Sequence, residues 1–185
     1  MRFELATERL LLRDYNKGDL EDFAAMSSDS EFQRFYSEKD CSPEHWKKLL
    51  AMFISEANEQ PRTNYNLAIC LKSDHKLIGS VGIRLEDNRQ ASVGCSLNRT
   101  FQQQGIAQEA MQSILNFGFQ ELNAHRIYAE TISENRAAIA LCEKLGFRKE
   151  AEFIEHRYFR NRWWNTSILA LLSSEYLYNQ PSDDL

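Results

Sequence analysis

The residue pattern with the clearest chemical potential is a short polar loop around one glycine, Gln-Gln-Gln-Gly-Ile-Ala at residues 102–107. It joins an alternating, strand-like segment at residues 91–97 to a long amphipathic segment typical of a helix. Gly105 permits backbone conformations closed to other residues, so consecutive N–H groups can converge at the positive end of the helix dipole. The loop therefore predicts a site for phosphate or pyrophosphate.

The same loop has a plainer interpretation, because a turn from a strand into a helix often contains one glycine for backbone reasons alone. The loop matches neither the three-glycine dinucleotide turn nor the Gly-Lys-Ser/Thr ending of a P-loop. From these six residues alone, an anion site and a simple turn are both open.

The chain that contains this loop has 185 residues, of which 43% are hydrophobic and 26% are charged. That is enough to bury one substantial core, so we expect a single domain over residues 1–178 and a disordered tail over residues 179–185. The net charge of −5 arises within the first 60 residues. A solvated acidic helix face is the plainer explanation of this distribution; the alternative is a surface that attracts amine-bearing partners and repels nucleic acid.

The cysteines and the chain start bear on compartment and metal binding. Cys41, Cys70, Cys95 and Cys142 show neither CxxC pairing nor metal-ligand spacing, and three of them lie within apolar patterns. The first nine residues include acidic side chains where a signal peptide needs an apolar run, and no segment is apolar over the length of a membrane span. We therefore expect a reduced, cytoplasmic protein without a metal or a membrane partner.

Hydrophobic periodicity predicts the elements around the loop. A strand and a helix fit the first 30 residues, and Ser42-Pro43 is typical of the start of a second helix. Residues 65–97 alternate with a period of two between polar turns, which predicts an antiparallel meander. After the long helix, residues 127–132 form a strand at crossover distance, and therefore parallel to the strand before the loop. A helix near Asn135 and two closing strands complete the order.

This order of parts resembles the GNAT superfamily of acyl-CoA-dependent N-acetyltransferases, and more closely its RimJ/RimL-like branch. The resemblance covers nearly the whole chain. Its most specific motif is Gln102-x-x-Gly105-x-Ala107, which is similar to the family's Gln/Arg-x-x-Gly-x-Gly/Ala loop. The other matching motifs are Thr7-Glu-Arg-Leu-Leu-Leu-Arg13, Leu77-Ile-Gly-Ser80, His125-Arg126-Ile127, Glu134-Asn135 and Glu143-Lys-Leu-Gly-Phe147.

The resemblance implies an α/β (α+β) fold with a mixed, mostly antiparallel seven-stranded sheet, flanking helices and a central parallel pair of strands that splay apart. Acetyl-CoA would lie in the wedge as cosubstrate, with its pyrophosphate on the loop amides. Its pantetheine arm would run along residues 95–97, whose amides would polarise the thioester carbonyl. Asn135 would contact the CoA arm, although its residue type alone predicts a helix N-cap. The implied cofactor-binding residues are Cys95, Leu97, Gln102, Gln103, Gln104, Gly105, Ile106, Ala107 and Asn135.

The family reaction is direct attack of a neutral amine on the thioester, which requires a proton acceptor. We favour Glu130 for this role, acting through a water, because it is central in the strand that borders the wedge; the alternative is an ordinary ion-paired carboxylate. Ser92 departs from the family pattern, since many relatives place a glutamate there. Cys142 stands where many members carry a tyrosine as general acid, and it would either protonate the leaving thiolate or fill a helix contact.

The resemblance thus predicts an enzyme that acetylates a primary amine, first of all the α-amine of a protein N-terminus such as that of a ribosomal protein. A small amine (polyamine, amino acid or aminated antibiotic) is the second hypothesis, and a non-catalytic acyl-CoA-binding module the third. Side chains from both ends of the chain are predicted to line the acceptor pocket: Phe32, Arg34, Tyr36, Trp46, Tyr158, Trp163 and Trp164. The sequence leaves open the acceptor and the choice between monomer and homodimer.

Overall fold

The computed structural model describes residues 3–178, so the predicted tail lies outside the described residues. The strands within this range are β1 Glu4–Ala6, β2 Leu10–Asp14, β3 Asn64–Leu71, β4 Leu77–Glu86, β5 Gln90–Leu97, β6 Arg126–Ile132, β7 Arg148–Phe159 and β8 Arg162–Leu172. The α-helices are α1 Leu20–Ser27, α2 Ser30–Gln33, α3 Pro43–Glu56, α4 Ile106–Asn116, α5 Arg136–Lys144 and α6 Ser173–Tyr178. A π-helical turn, Phe117–Glu121, extends α4.

The strands form one sheet in the order β1-β2-β3-β4-β5-β6-β8-β7. Neighbouring strands are antiparallel except β5 and β6, which are parallel as predicted. The described sheet has eight strands, one more than the seven that the resemblance implies. The additional strand is β1, where Leu5 pairs with Leu12 on β2. Three residues are too few for an alternating pattern to reveal a strand.

The parallel pair is joined only where its strands begin. Its paired residues are Gln90 with Arg126, Ala91 with Ile127 and Ser92 with Tyr128. Beyond these, β5 stays paired with β4 as far as Leu97, and β6 stays paired with β8 as far as Ile132. The sheet therefore divides into two halves that separate after Ser92, which confirms the predicted splay.

Two apolar clusters attach helices to the two faces of the sheet, because successive strand residues point to opposite faces. The larger cluster joins Val93 on β5 and Ile127 on β6 to Ile114 on α4. The smaller cluster packs Phe23 of α1 and Trp46 of α3 on the other face. Helix α4 is thus fixed against both strands of the parallel pair, beside the point where they separate.

The predicted elements are confirmed with small shifts at their ends. Ser42 caps α3, its side chain accepting a hydrogen bond from the His45 N–H at 3.2 Å. Gly146 follows α5 with a φ of 89°, as a helix-ending glycine does. The β7–β8 hairpin turns at Arg160 and Asn161, whose φ values are 50° and 56°. Helices α2 and α6 are not predicted, since four and six residues carry too little periodicity.

No helix within residues 3–178 is long and apolar enough to cross a membrane. In that part of the chain, no three His, Cys, Asp or Glu side chains gather into a group able to hold a metal ion. All four cysteines are free thiols.

Candidate active site

The separation of β5 and β6 opens a cleft of about 1520 Å³. Its walls include β5, β6, the loop before α4 and the first turn of α5, together with residues 29–40 and the end of β7. The predicted site residues that line it are Cys95, Leu97, Gln102, Gln103, Gly105, Ile106, Ala107, Glu130 and Asn135. The other two, Gln104 and Cys142, lie outside the cleft wall. The fold thus brings the predicted loop and the predicted carboxylate to one cavity.

The loop takes its shape at Gly105, directly before α4. This residue has φ 75° and ψ −2°, the left-handed region that is costly for residues with a Cβ. Gln102 and Gln104 brace the loop by donating side-chain N–H groups to the carbonyls of Leu97, at 3.3 Å, and Thr100, at 2.9 Å. No described side chain caps the start of α4. Its first-turn N–H groups are therefore available to an anion.

The arrangement fits the diphosphate of CoA. It combines an uncapped helix N-terminus, a glycine in the left-handed conformation directly before it, and cationic side chains along the same cleft, namely Arg99, Arg136 and Lys144. Asn135 lines the cleft while its side-chain oxygen accepts the Ala138 N–H at 3.3 Å, so it caps α5. The cap is confirmed, and its contact with CoA stays a prediction.

Glu130 lies in the middle of β6 with a side chain that is 33% exposed. Its Oε1 forms an ion pair with Arg157 on β7, another residue of the cleft wall. No described residue donates a hydrogen bond to Oε2, which leaves that oxygen able to hold a water. Glu130 therefore forms the ion pair that the plainer interpretation predicts, and its carboxylate also lines the cleft.

A second carboxylate, which the sequence does not single out, faces the same cleft from the end of β4. Glu86 accepts a hydrogen bond from the Tyr128 hydroxyl, 2.9 Å from its Oε1. The bond passes over β5 beside Ser92, which pairs with Tyr128, and a small side chain at position 92 leaves room for it. Burial and this hydrogen bond raise the pKa of the Tyr128 hydroxyl. Spacing gives no signal of such a contact, because its partners are 42 residues apart.

The two cysteines of the predicted site differ in position. Cys95 is half-buried in the cleft wall, whereas Cys142 is 5% exposed within the larger apolar cluster. Burial raises the pKa of Cys95 to about 12 and that of Cys142 to about 11. A general acid works best with a pKa near the working pH. The position and the pKa of Cys142 therefore favour the packing role over proton donation.

We predict that Cys142→Ala keeps kcat within twofold and makes unfolding easier by about 1 kcal/mol at pH 7, the usual scale for removing one buried atom group. The stability difference should also shrink in alkali and reverse its sign near pH 11. Unfolded Cys142 loses its proton above pH 9, while the folded thiol keeps it to about pH 11. Wild-type stability therefore falls through this window, by up to about 3 kcal/mol from this group. Urea unfolding of both proteins at pH 7, 9 and 11 measures the difference, and a kcat loss of tenfold or more would restore the proton-donor role.

The other side of the cleft is formed by residues 29–41, which the hairpin turn holds in place. Arg160 donates hydrogen bonds to the carbonyls of Gln33 and Tyr36, each at 3.1 Å. The rings of Phe32 and Tyr36 stack with centroids 5.4 Å apart. Phe32, Arg34, Tyr36 and Tyr158 line the cleft as predicted. The three tryptophans do not, because Trp46 and Trp164 are buried in packing contacts and Trp163 points to solvent with 55% exposure.

The family of this chain follows from its match to a family model. A family model described as "Acetyltransferase (GNAT) domain" matches residues 9–148. The chain belongs to the GNAT acetyltransferase family. It is 28% identical to the relative named "Uncharacterized N-acetyltransferase p20" of Bacillus licheniformis, over 93% of this chain and 97% of that protein. It is 24% identical to a spermidine N(1)-acetyltransferase of Vibrio cholerae, over 91% of this chain and 96% of that one.

A solved structure confirms the fold. The ribosomal-protein-S5-alanine acetyltransferase from Vibrio fischeri is similar with a TM-score of 0.78 at 22% identity, covering 97% of this chain and 100% of that one. The family match and the relatives named as N-acetyltransferases make this GNAT protein an N-acetyltransferase that uses acetyl-CoA as its cosubstrate. The resemblance inferred from the short motifs is therefore confirmed.

Proposed function

We propose that this enzyme acetylates the α-amine of a protein N-terminus, with acetyl-CoA and the acceptor bound together in the cleft. The observation that carries the proposal is the splay itself. Because β5 and β6 part after Ser92, one cavity reaches both the anion loop and the carboxylates on β4 and β6. Two substrates can thus meet between the strands, which is the geometry that direct transfer requires.

The chain would hold the donor through backbone groups. The amides of Gln103, Gly105, Ile106 and Ala107 would bind the diphosphate, Gln104 would shape the loop, and Asn135 would contact the arm. Bound acetyl-CoA supplies an acetyl group activated as a thioester. The edge of β5 that faces β6 lacks a strand neighbour after Ser92. Its N–H groups from Cys95 to Leu97 would therefore serve as hydrogen-bond donors to the oxygen that gains charge during transfer.

The acceptor would lose its proton to Glu130 through a water held by the free oxygen of that carboxylate. Arg157 fixes the orientation of Glu130 by engaging the other oxygen. The energetic requirement favours an α-amine as the acceptor. Holding an α-amine neutral at pH 7 costs about 1 to 1.5 kcal/mol, against roughly 4.5 kcal/mol for a lysine side chain. The named activity of the Vibrio fischeri neighbour supports the same acceptor class.

A small amine is the second candidate, favoured by the acidic side chains of the acceptor side. Asp29, Glu31, Asp40 and Glu86 line the cleft there. Such a wall attracts a cationic acceptor and would steer a polyamine towards the thioester. The spermidine N(1)-acetyltransferase relative supports this alternative.

An acceptor comparison separates the two candidates. We expect thiol release from acetyl-CoA with short peptides that carry a free N-terminus, and at least tenfold lower kcat/KM with spermidine. The matched control is the same peptide with its N-terminus already acetylated and an internal lysine retained, which should give no release. Turnover of spermidine that exceeds turnover of every peptide would replace the first candidate by the second.

A further inference from the structure

Arg9 belongs to the motif at residues 7–13 that supports the family match, yet it lies outside the cleft wall. It directly precedes β2, and its side chain extends to the loop before α4. The two segments are about 100 residues apart in the chain. Arg9 therefore contacts the anion loop without lining the cleft.

Glu109, in the first turn of α4, fixes the Arg9 side chain. Its Oε1 accepts the Thr7 hydroxyl at 2.6 Å and the Arg9 backbone N–H at 2.8 Å, and its Oε2 accepts the Arg9 Nε at 2.7 Å. Burial opposes ionisation of Glu109, but these hydrogen bonds prevail and lower its pKa. Glu109 accepts three hydrogen bonds, one of them from the Arg9 Nε. Because the guanidinium is planar and held at Nε, the orientation of its other end is fixed.

The guanidinium end of Arg9 contacts the loop at the peptide bond between Gln104 and Gly105. The Arg9 Nη1 donates to the carbonyl of Gln104 at 3.0 Å. In a planar trans peptide the carbonyl and the following N–H point in opposite directions. Fixing the Gln104 carbonyl towards Arg9 therefore turns the Gly105 N–H away from Arg9. The Arg9 Nη2 also lies 3.4 Å from the place where a Cβ on Gly105 would be.

We propose that Arg9 is a positioning residue for the CoA diphosphate, which orients the Gly105 amide and brings a positive charge behind the loop. The proposal rests on the diphosphate lying at this loop, as in the proposed function. A purely structural ion pair that ties β2 to α4 is the competing explanation. The two differ in their consequences, because only the positioning role depends on whether the donor carries a diphosphate.

The test compares Arg9→Met and Arg9→Lys with Arg89→Met. Arg89 is a matched control, since it is an exposed arginine bonded to Asn123 and lies outside the cleft wall. Calorimetric titration with CoA should give a Kd raised about 10- to 30-fold in Arg9→Met, a smaller rise in Arg9→Lys, which keeps the charge, and less than twofold in Arg89→Met. This readout needs no turnover, so it stands even if the proposed acceptor is wrong.

Two acetyl donors then distinguish a positioning role of Arg9 from a general structural effect of its substitution. With acetyl-CoA, Arg9→Met should raise KM with kcat within twofold. With S-acetylpantetheine, which lacks the diphosphate, kcat/KM should change less than twofold. Equal losses with both donors would reduce Arg9 to a structural role, and an unchanged Kd for CoA would overturn the proposal.

Discussion

Replacing Gly105 with aspartate is expected to abolish CoA binding, with a Kd raised by more than 100-fold. The Cβ of the new residue would lie 3.4 Å from the Arg9 Nη2, directly before the uncapped first turn of α4, so its carboxylate would repel the diphosphate at this loop and compensate the positive charge of Arg9. Two like charges 4 Å apart repel by about 4 kcal/mol at an effective dielectric constant near 20. Calorimetric titration with CoA measures the loss.

Gly105→Asn is the matched control for that experiment. Asparagine has nearly the shape of aspartate and tolerates the φ of 75° better than most residues, but it carries no charge. We expect its Kd for CoA to rise less than tenfold, so that the difference between the two variants isolates the charge. A folded Gly105→Asp protein that binds CoA as the wild type does would show that the diphosphate lies elsewhere.

The parts of the site that sequence reasoning finds are those with local signals. The loop at residues 102–107 is such a case, since the change from a period of two to a helical period frames Gly105. The strand Arg126–Ile132 follows at a distance that only a parallel crossover explains. Glu130 is placed by the same argument, because its strand borders the separation. In each case the physical constraint acts within about 30 residues of chain.

The parts that sequence reasoning misses depend on contacts between distant segments. The hydrogen bonds of Arg9 to Glu109 and Gln104 connect a residue beside β2 to α4 and the loop before it. No local sequence pattern in either segment predicts this contact. The bond between Tyr128 and Glu86 likewise depends on the register of three strands. The prediction that the three tryptophans line the acceptor pocket is wrong for a related reason. Residue type predicts a large aromatic surface, but only the packing decides whether it faces a cleft, a core or solvent.

Glu130→Gln is expected to lower kcat about 100-fold, while the KM for acetyl-CoA stays within twofold. General base catalysis contributes roughly 10² to 10⁴ in rate, and a base that works through a water belongs at the lower end. The amide keeps the shape of the carboxylate and can still accept a hydrogen bond from Arg157, so the wall of the cleft is preserved. Steady-state kinetics with a saturating peptide acceptor measures the effect.

Glu86→Gln makes this test decisive, because it removes the other carboxylate that faces the cleft near the separation of the strands. The amide oxygen can still accept the Tyr128 hydroxyl, so we expect a loss in kcat of less than threefold. A loss of 100-fold in Glu86→Gln with near-normal rates in Glu130→Gln would assign the proton acceptor to Glu86. The small side chain of Ser92 would then matter chemically, since it gives a carboxylate on β4 access across β5 to the amine.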